Sequence, residues 1–238
     1  IQTIKGRDFL KNHASNFINK AIFRNGDTLK GKWTYALLSD NECSLLTNLK
    51  TDSKIFQFNE IAQVDVGIVT GANNYFLVSK EIVNTYNLRN YSYPMFGRSS
   101  HCPGIIYDEK QHASNSENNL PSNFIYFDID STEKLDAFQK EYIELGLSQN
   151  IHKRYKCRIR KPWFKVPSVY STKLALLKRC HNFPRLILNS FLAYTTDTAY
   201  RIKLLDNTIT DLDFTYTFIN SLTALSAELE GRHYGGGV

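Results

Sequence analysis

Asp128 and Asp130 stand two residues apart in the run Asn123-Phe124-Ile125-Tyr126-Phe127-Asp128-Ile129-Asp130, and on a strand that spacing turns both carboxylates to one face. Paired carboxylates of this kind, with Glu109 as a further acid, suit hydrolysis of a nucleic acid. The structural alternative is a strand-end aspartate followed by a helix cap. His101-Cys102 and Cys180-His181 are adjacent pairs, and sequence neighbours rarely point at one centre, so packing cysteines and surface histidines are expected and no metal. Gly67 and Gly71 are four apart with no Lys after them, which fails both the Walker loop and the three-glycine dinucleotide loop. A hairpin turn with positive φ at Gly71 and Asn73, between two strands, accounts for the stretch instead. No Gly-x-Ser-x-Gly occurs. No catalytic residue is assigned.

Binding is better supported. Residues 151 to 203 contain thirteen Lys or Arg and one acid, Asp197, so the formal net charge of +6 is concentrated in one segment. Its densest part, His152-Lys153-Arg154-Tyr155-Lys156-Cys157-Arg158-Ile159-Arg160-Lys161-Pro162-Trp163-Phe164-Lys165, interleaves cations with rings. Solubility does not require acids to be excluded from so long a segment, whereas counterion release from a phosphate backbone rewards it. No basic helix with a wide apolar face accompanies the segment, so nucleic acid is favoured over a membrane surface.

These residues need a scaffold, and 238 residues suffice to bury one without staples. Cys43, Cys102, Cys157 and Cys180 show no Cys-x-x-Cys spacing, and no apolar run reaches a membrane span, which points to a soluble, reducing compartment. The chain opens on Ile1 without a signal segment and stops at Gly235-Gly236-Gly237-Val238, so it reads as a fragment. Residues 1–60 are expected to form a connecting segment with a small helix, boxed by Ser39 and Glu42, and residues 61–238 the main domain. Trp33 to Leu38 is a short apolar run. Strands are expected at Ile55 to Phe58, on both sides of Gly71, at Gly104 to Tyr107 and at Asn123 to Ile129. A helix should start at Asp130 with Glu133, carry Leu135, Phe138, Tyr142 and Leu145 on one face, and end at Gly146. A hairpin should join Leu186–Tyr194 to Ala199–Leu205 around Thr195-Thr196-Asp197-Thr198, before a last helix over Phe214 to Leu229. The fold class is α+β, with a mixed, mainly antiparallel sheet and flanking helices.

Four stretches in order carry a resemblance: Gly67-Ile68-Val69-Thr70-Gly71-Ala72-Asn73-Asn74-Tyr75-Phe76; Arg160-Lys161-Pro162-Trp163-Phe164-Lys165-Val166-Pro167; Pro184-Arg185-Leu186-Ile187-Leu188-Asn189; and Leu225 to Val238, which includes Gly231-Arg232-His233-Tyr234. Over about Trp33 to Val238 the chain resembles the C-terminal target recognition region of Eco57I-like adenine-N6 DNA methyltransferases from bacterial restriction-modification systems. The resemblance implies a bacterial cytoplasmic protein that recognises double-stranded DNA, with a restriction nuclease as partner or fused domain. It also implies a separate catalytic domain holding S-adenosylmethionine. This chain has no adjacent prolines and therefore no Asn-Pro-Pro-Tyr tetrapeptide, so no cofactor is expected here. On this reading Lys153, Arg154, Lys156, Arg158, Arg160, Lys161 and Lys165 hold phosphates. Asn73, Asn74, Tyr75, Asn189, Tyr194 and Arg232 are candidates for reading bases. Trp163 is expected in the core. The rival readings are a stand-alone nuclease using Asp128 and Asp130, and a protein-interaction module.

Overall fold

A computed structural model describes residues 32–179 and 183–231. Arg232, the Cys180-His181 pair, most of the connecting segment and the glycine-rich terminus lie outside the described residues. Among the described residues nine strands occur in order: β1 Ala62–Val66, β2 Leu77–Val78, β3 Ser92–Phe96, β4 Ile106–Tyr107, β5 Asn123–Ile125, β6 Leu174–Leu177, β7 Leu186–Asn189, β8 Tyr194–Thr195 and β9 Ala199–Leu204. The α-helices of the described residues are α1 Asp40–Thr51, α2 Phe58–Ile61, α3 Asn73–Phe76, α4 Lys80–Thr85, α5 Glu109–Glu117, α6 Ala137–Ser148, α7 Tyr155–Arg158, α8 Asp211–Thr217 and α9 Ser221–Glu230. None is long and apolar enough to cross a membrane.

Two compact units divide the chain. In the smaller, which holds the residues up to Gln57 together with Leu225–His233, Trp33–Leu37 forms a 3-10 turn and α1 begins as its sequence requires. Ser39 Oγ accepts from Glu42 N at 3.3 Å while Ser39 N donates to Glu42 Oε2 at 2.7 Å, a complete capping box. Tyr35 OH donates to Glu230 Oε1 at 2.7 Å.

The larger unit, Phe58–Ala224, contains two sheets rather than one. The first has the order β1-β9-β6-β7-β4, antiparallel except for the parallel β7–β4 edge. The second has the order β2-β5-β3-β8, with β8 parallel to β3. The period-2 rule explains how the first sheet is covered on both sides. Leu174, Leu186 and Ile202 face α2 and α8 with Phe58, Phe214 and Phe218, whereas Ala175, Leu177 and Ile187 face Phe96, Cys102 and Tyr107. The second sheet packs Phe124, Ile125 and Leu77 against Tyr142 and Ile143 of α6.

Several expected elements are displaced. Phe58 and Ile61 are three apart, so a helical turn, not a strand, presents both to α8, with the Phe58 and Phe214 rings 5.5 Å apart. No hairpin forms around Gly71, because β1 and β2 belong to different sheets and Asn73 to Phe76 coil into α3; of the two residues expected at positive φ, only Gly71 has it, at 78°. β7 and β9 do not pair with each other, since both flank β6. α6 is capped by Asp136 with Gln139, while Thr132–Lys134 forms a separate 3-10 turn capped by Ser131. Gly146 lies inside α6 instead of ending it. A Cβ there would sit 2.5 Å from Trp163 Cη2 and 2.9 Å from Tyr75, so the glycine admits both rings against the helix. The last helix is two, interrupted at Asn220, whose side-chain oxygen accepts from Thr223 N at 2.8 Å.

The loop after β3 is held from beneath. His101 is buried, accepts from Gly97 N through Nδ1, and its carbonyl accepts from Asn115 Nδ2 at 2.8 Å. Burial, with the Arg98 charge adding to it, lowers the His101 pKa to about 4.

Two expectations follow for stability. A Cβ at Gly67 would lie 2.0 Å from Thr196 O and 2.7 Å from Ala199 O, backbone atoms that cannot swing aside. Gly67→Ala should therefore cost about 3 kcal/mol or more, and Gly146→Ala, which meets ring edges and gains helix propensity, about 1 kcal/mol; urea midpoints measure both. His101 binds its proton more weakly folded than unfolded, so its contribution is complete above about pH 6.5 and is lost as pH falls towards 4. The wild type should lose on the order of 2–3 kcal/mol over that window relative to His101→Gln, whose amide oxygen can still accept.

Candidate nucleic-acid interface

The basic stretch is shaped by two buried anchors. Asn150, at φ 58°, turns the chain sharply after α6, and Ile151 and Cys157 then insert into the core. Between and beyond them Lys153, Arg154, Lys156, Arg158 and Lys161 are all exposed. Lys156 Nζ and the Arg158 guanidinium carbon lie 5.5 and 5.6 Å from the centre of the Tyr155 ring, which is itself 63% exposed. Tyr155 was not among the expected contacts, although a ring directly between cations was the available signal. None of the five exposed cations pairs with a carboxylate among the described residues.

Other cations of the segment are engaged by groups of the protein itself. Arg160 donates to Val69 O at 2.6 Å and to Thr70 O at 2.7 Å, and burial lowers its pKa. Lys165 bridges Asp130 at 2.7 Å and Asp128 at 3.0 Å, and their hydrogen bonds raise its pKa. Both are expected to hold phosphate; in the structure backbone carbonyls without strand partners engage Arg160 and a pair of exposed acids engages Lys165. The same Lys165 contact, with Tyr126, lowers the Asp128 pKa and engages the two carboxylates proposed for hydrolysis. Among the described residues no group of three or more His, Cys, Asp or Glu could hold a metal. Arg185 donates to Cys102 O and Pro103 O, while Arg201 donates to Val66 O at 2.6 Å and lies 3.5 Å from the centre of the Tyr170 ring.

The candidates for base reading separate in the same way. Tyr75 is buried, stacks on Tyr142 at 4.7 Å, and donates its hydroxyl to Tyr142 O while Tyr142 donates to Tyr75 O. Asn189 is buried and fully used, bonding Thr172 O, Ala193 O and Ala193 N. Neither can reach a base in this structure. Tyr194 is half-buried among Tyr93 and Phe124. Trp163 packs on Tyr75, Phe76 and Phe164, as expected of a core residue. Asn73 and Asn74 are exposed at the start of α3, and Arg154 Nη1 donates to Asn74 Oδ1 at 2.7 Å, joining the basic stretch to that turn. Lys156 packs its stem over Gly71, where a Cβ would lie 2.5 Å from the Lys156 Cβ. A groove of about 750 Å³ opens beside them, with Asn73, Asn74, Arg98, Ser99, Ser100 and Arg179 in its wall and no carboxylate. Arg98 and Arg179 are not among the expected contacts: Arg98 lies outside the basic segment and Arg179, beside Lys178, well after its densest part, and only the fold brings them together.

The exposed cations, the Asn73-Asn74 turn and the groove all belong to one scaffold, and comparison with known families recognises that scaffold as a whole. A comparison with curated proteins returns no match. The family model of the C-terminal domain of the type II methyltransferase M.Eco57I matches residues 30–238. That span takes in every strand of both sheets and the entire basic stretch, and the chain therefore belongs to the family of M.Eco57I C-terminal domains.

Proposed function

We propose that this domain recognises double-stranded DNA by sequence for an adenine-N6 methyltransferase, positioning the duplex while methyl transfer from S-adenosylmethionine is performed by residues outside this sequence. The observation that carries the reading is the set of five exposed cations, Lys153, Arg154, Lys156, Arg158 and Lys161, which no acid neutralises among the described residues, on a surface anchored by Ile151 and Cys157. Such cations hold phosphates and fix register; discrimination between bases falls to side chains near them. With Arg160 and Lys165 engaged elsewhere, about five phosphate contacts are available, and the logarithm of affinity should fall with the logarithm of salt at a slope of about −4.5.

The same partition predicts two separable phenotypes. The triple variant Lys153→Ala, Arg158→Ala, Lys161→Ala should weaken duplex retention strongly, make the salt slope shallower by about 2.7, and leave the melting temperature within a few degrees of the wild type. Arg160→Ala should instead lower the melting temperature, by about 2–3 kcal/mol of stability, because it orphans two carbonyls. Filter retention over a salt series, with calorimetry on the same proteins, measures both. A triple variant that holds DNA as well as the wild type would sink the reading.

A further inference from the structure

We propose that the groove bounded by Asn73, Asn74, Arg98 and Arg179 is a hydrogen-bond-donor cradle for a backbone phosphate of the duplex that the neighbouring cations hold. The inference rests on the DNA reading above and adds to it four side chains and the chemical class of what they take. It follows from an account of donors and acceptors. Arginine has no acceptor, so the 2.7 Å contact from Arg154 Nη1 must fall on Asn74 Oδ1, and the amide nitrogen is what Asn74 has left to offer. Thr70 Oγ1 accepts from Ala72 N at 3.1 Å and gives its own proton to Asn73 Oδ1, which commits that oxygen in the same way. Arg98 and Arg179 bring guanidinium donors, and neither guanidinium hydrogen-bonds or ion-pairs with a described residue. The hydroxyls of Ser99 and Ser100 can rotate to donate.

Apart from Asn119, whose nitrogen donates to Glu81, the wall thus offers donors and two positive charges with no carboxylate, and a ligand that only accepts satisfies those donors. The major-groove edge of adenine presents one donor and one acceptor and asks an asparagine for both, so these two asparagines are poorly matched to it. The guanine edge, O6 with N7, is acceptor-only and shares the chemistry of a phosphodiester. Shape favours the phosphate: base edges are recessed in a duplex groove and are met by projecting side chains, whereas phosphates stand outermost and can enter a concave surface. The cradle is preset on both sides. Buried His101 holds the loop that carries Arg98, and the Asn74 link to Arg154 ties the opposite wall to the basic stretch.

The test compares wild type, the double variant Arg98→Gln with Arg179→Gln, and the triple variant of the basic stretch. Each is titrated over a salt series against an alternating A·T duplex and a mixed-sequence duplex. Losing the one cradled phosphate should make the salt slope shallower by about 0.9 on both duplexes and weaken low-salt binding about tenfold. Asn73→Asp, which puts a carboxylate into the cradle, should weaken binding to both as well. Circular dichroism melts should stay at the wild-type value for the double variant, since neither guanidinium bonds the protein. Wild-type affinity and slope in the double variant, beside a triple variant that has lost retention, would overturn the cradle and leave the DNA reading standing. Loss confined to the mixed duplex would overturn the phosphate assignment in favour of a guanine edge. A wild type that retains neither duplex would remove the DNA reading and the cradle together.

Discussion

One chain crossing holds the larger unit together. Gly67 N donates to Ala199 O at 3.0 Å, Ile68 N to Thr195 O at 2.7 Å, and Asp197 N to Ile68 O at 3.1 Å, where β1 has just left the five-stranded sheet and β8 is about to leave the four-stranded one. Only a residue without a side chain lets the strands approach so closely, and Gly67 supplies it. Past the crossing, the carbonyls of Val69 and Thr70 have no strand to pair with. Left unmet inside the protein each would cost about 1–3 kcal/mol, and the Arg160 fork meets both. The basic stretch is therefore oriented by the backbone requirement of a distant segment. On the other side of the crossing, Thr196 and Thr198 hydroxyls both donate to Gly97 O, which places the loop bearing Arg98.

How much of this could be read from the sequence depends on the range of the signal. The Ser39–Glu42 capping box and the α+β class rest on contacts a few residues apart or on simple alternation, and these survive; of the expected face only Tyr142 is buried within α6, with Gln139, Ile143 and Gly146, while Phe138 is exposed and Leu135 precedes the helix. Strand partners do not. Turn chemistry at Gly71 and at Thr195 to Thr198 suggests hairpins, but both segments serve the crossing between sheets instead. The strand Leu174–Leu177 was unreadable for another reason. It is buried on both faces, so it shows a continuous run of four apolar residues with no alternation, inside a segment whose charges draw attention to solvent. Gly146 has the composition of a helix end and the function of a packing notch, a difference visible only when Trp163 and Tyr75 arrive from elsewhere in the chain.

The candidate site divides along the same line. Counting charges locates a basic segment but gives every cation in it the same role. What separates them is the supply of unmet acceptors nearby. Arg160, Arg185 and Arg201 each reach backbone carbonyls that secondary structure leaves open, and Lys165 reaches two carboxylates. For arginine the planar fork makes such double duty at carbonyls geometrically easy, which is why all three cations that reach backbone carbonyls are arginines, while Lys165 pairs with acids at the surface. Asn73, Asn74, Tyr75 and Asn189 sort by the same account: Tyr75 and Asn189 have their polar atoms satisfied indoors, while Asn73 and Asn74 keep their amide nitrogens outward.

The cations left over are the more informative set. Five positive side chains within nine residues repel one another, and at separations of a few ångströms in water each pair costs a fraction of a kcal/mol up to about 1 kcal/mol. The fold does nothing to relieve this: the contact made by Arg154 is with a neutral amide, and Lys156 and Arg158 share a tyrosine ring, so no negative charge among the described residues is brought to them. The anchors Ile151 and Cys157 hold the charges together at a fixed spacing instead of letting them disperse. A positive surface without internal counter-charge gains stability when a line of phosphates is laid against it, and because Ile151 and Cys157 already fix the backbone, the ordering entropy that remains to be lost is that of the side chains.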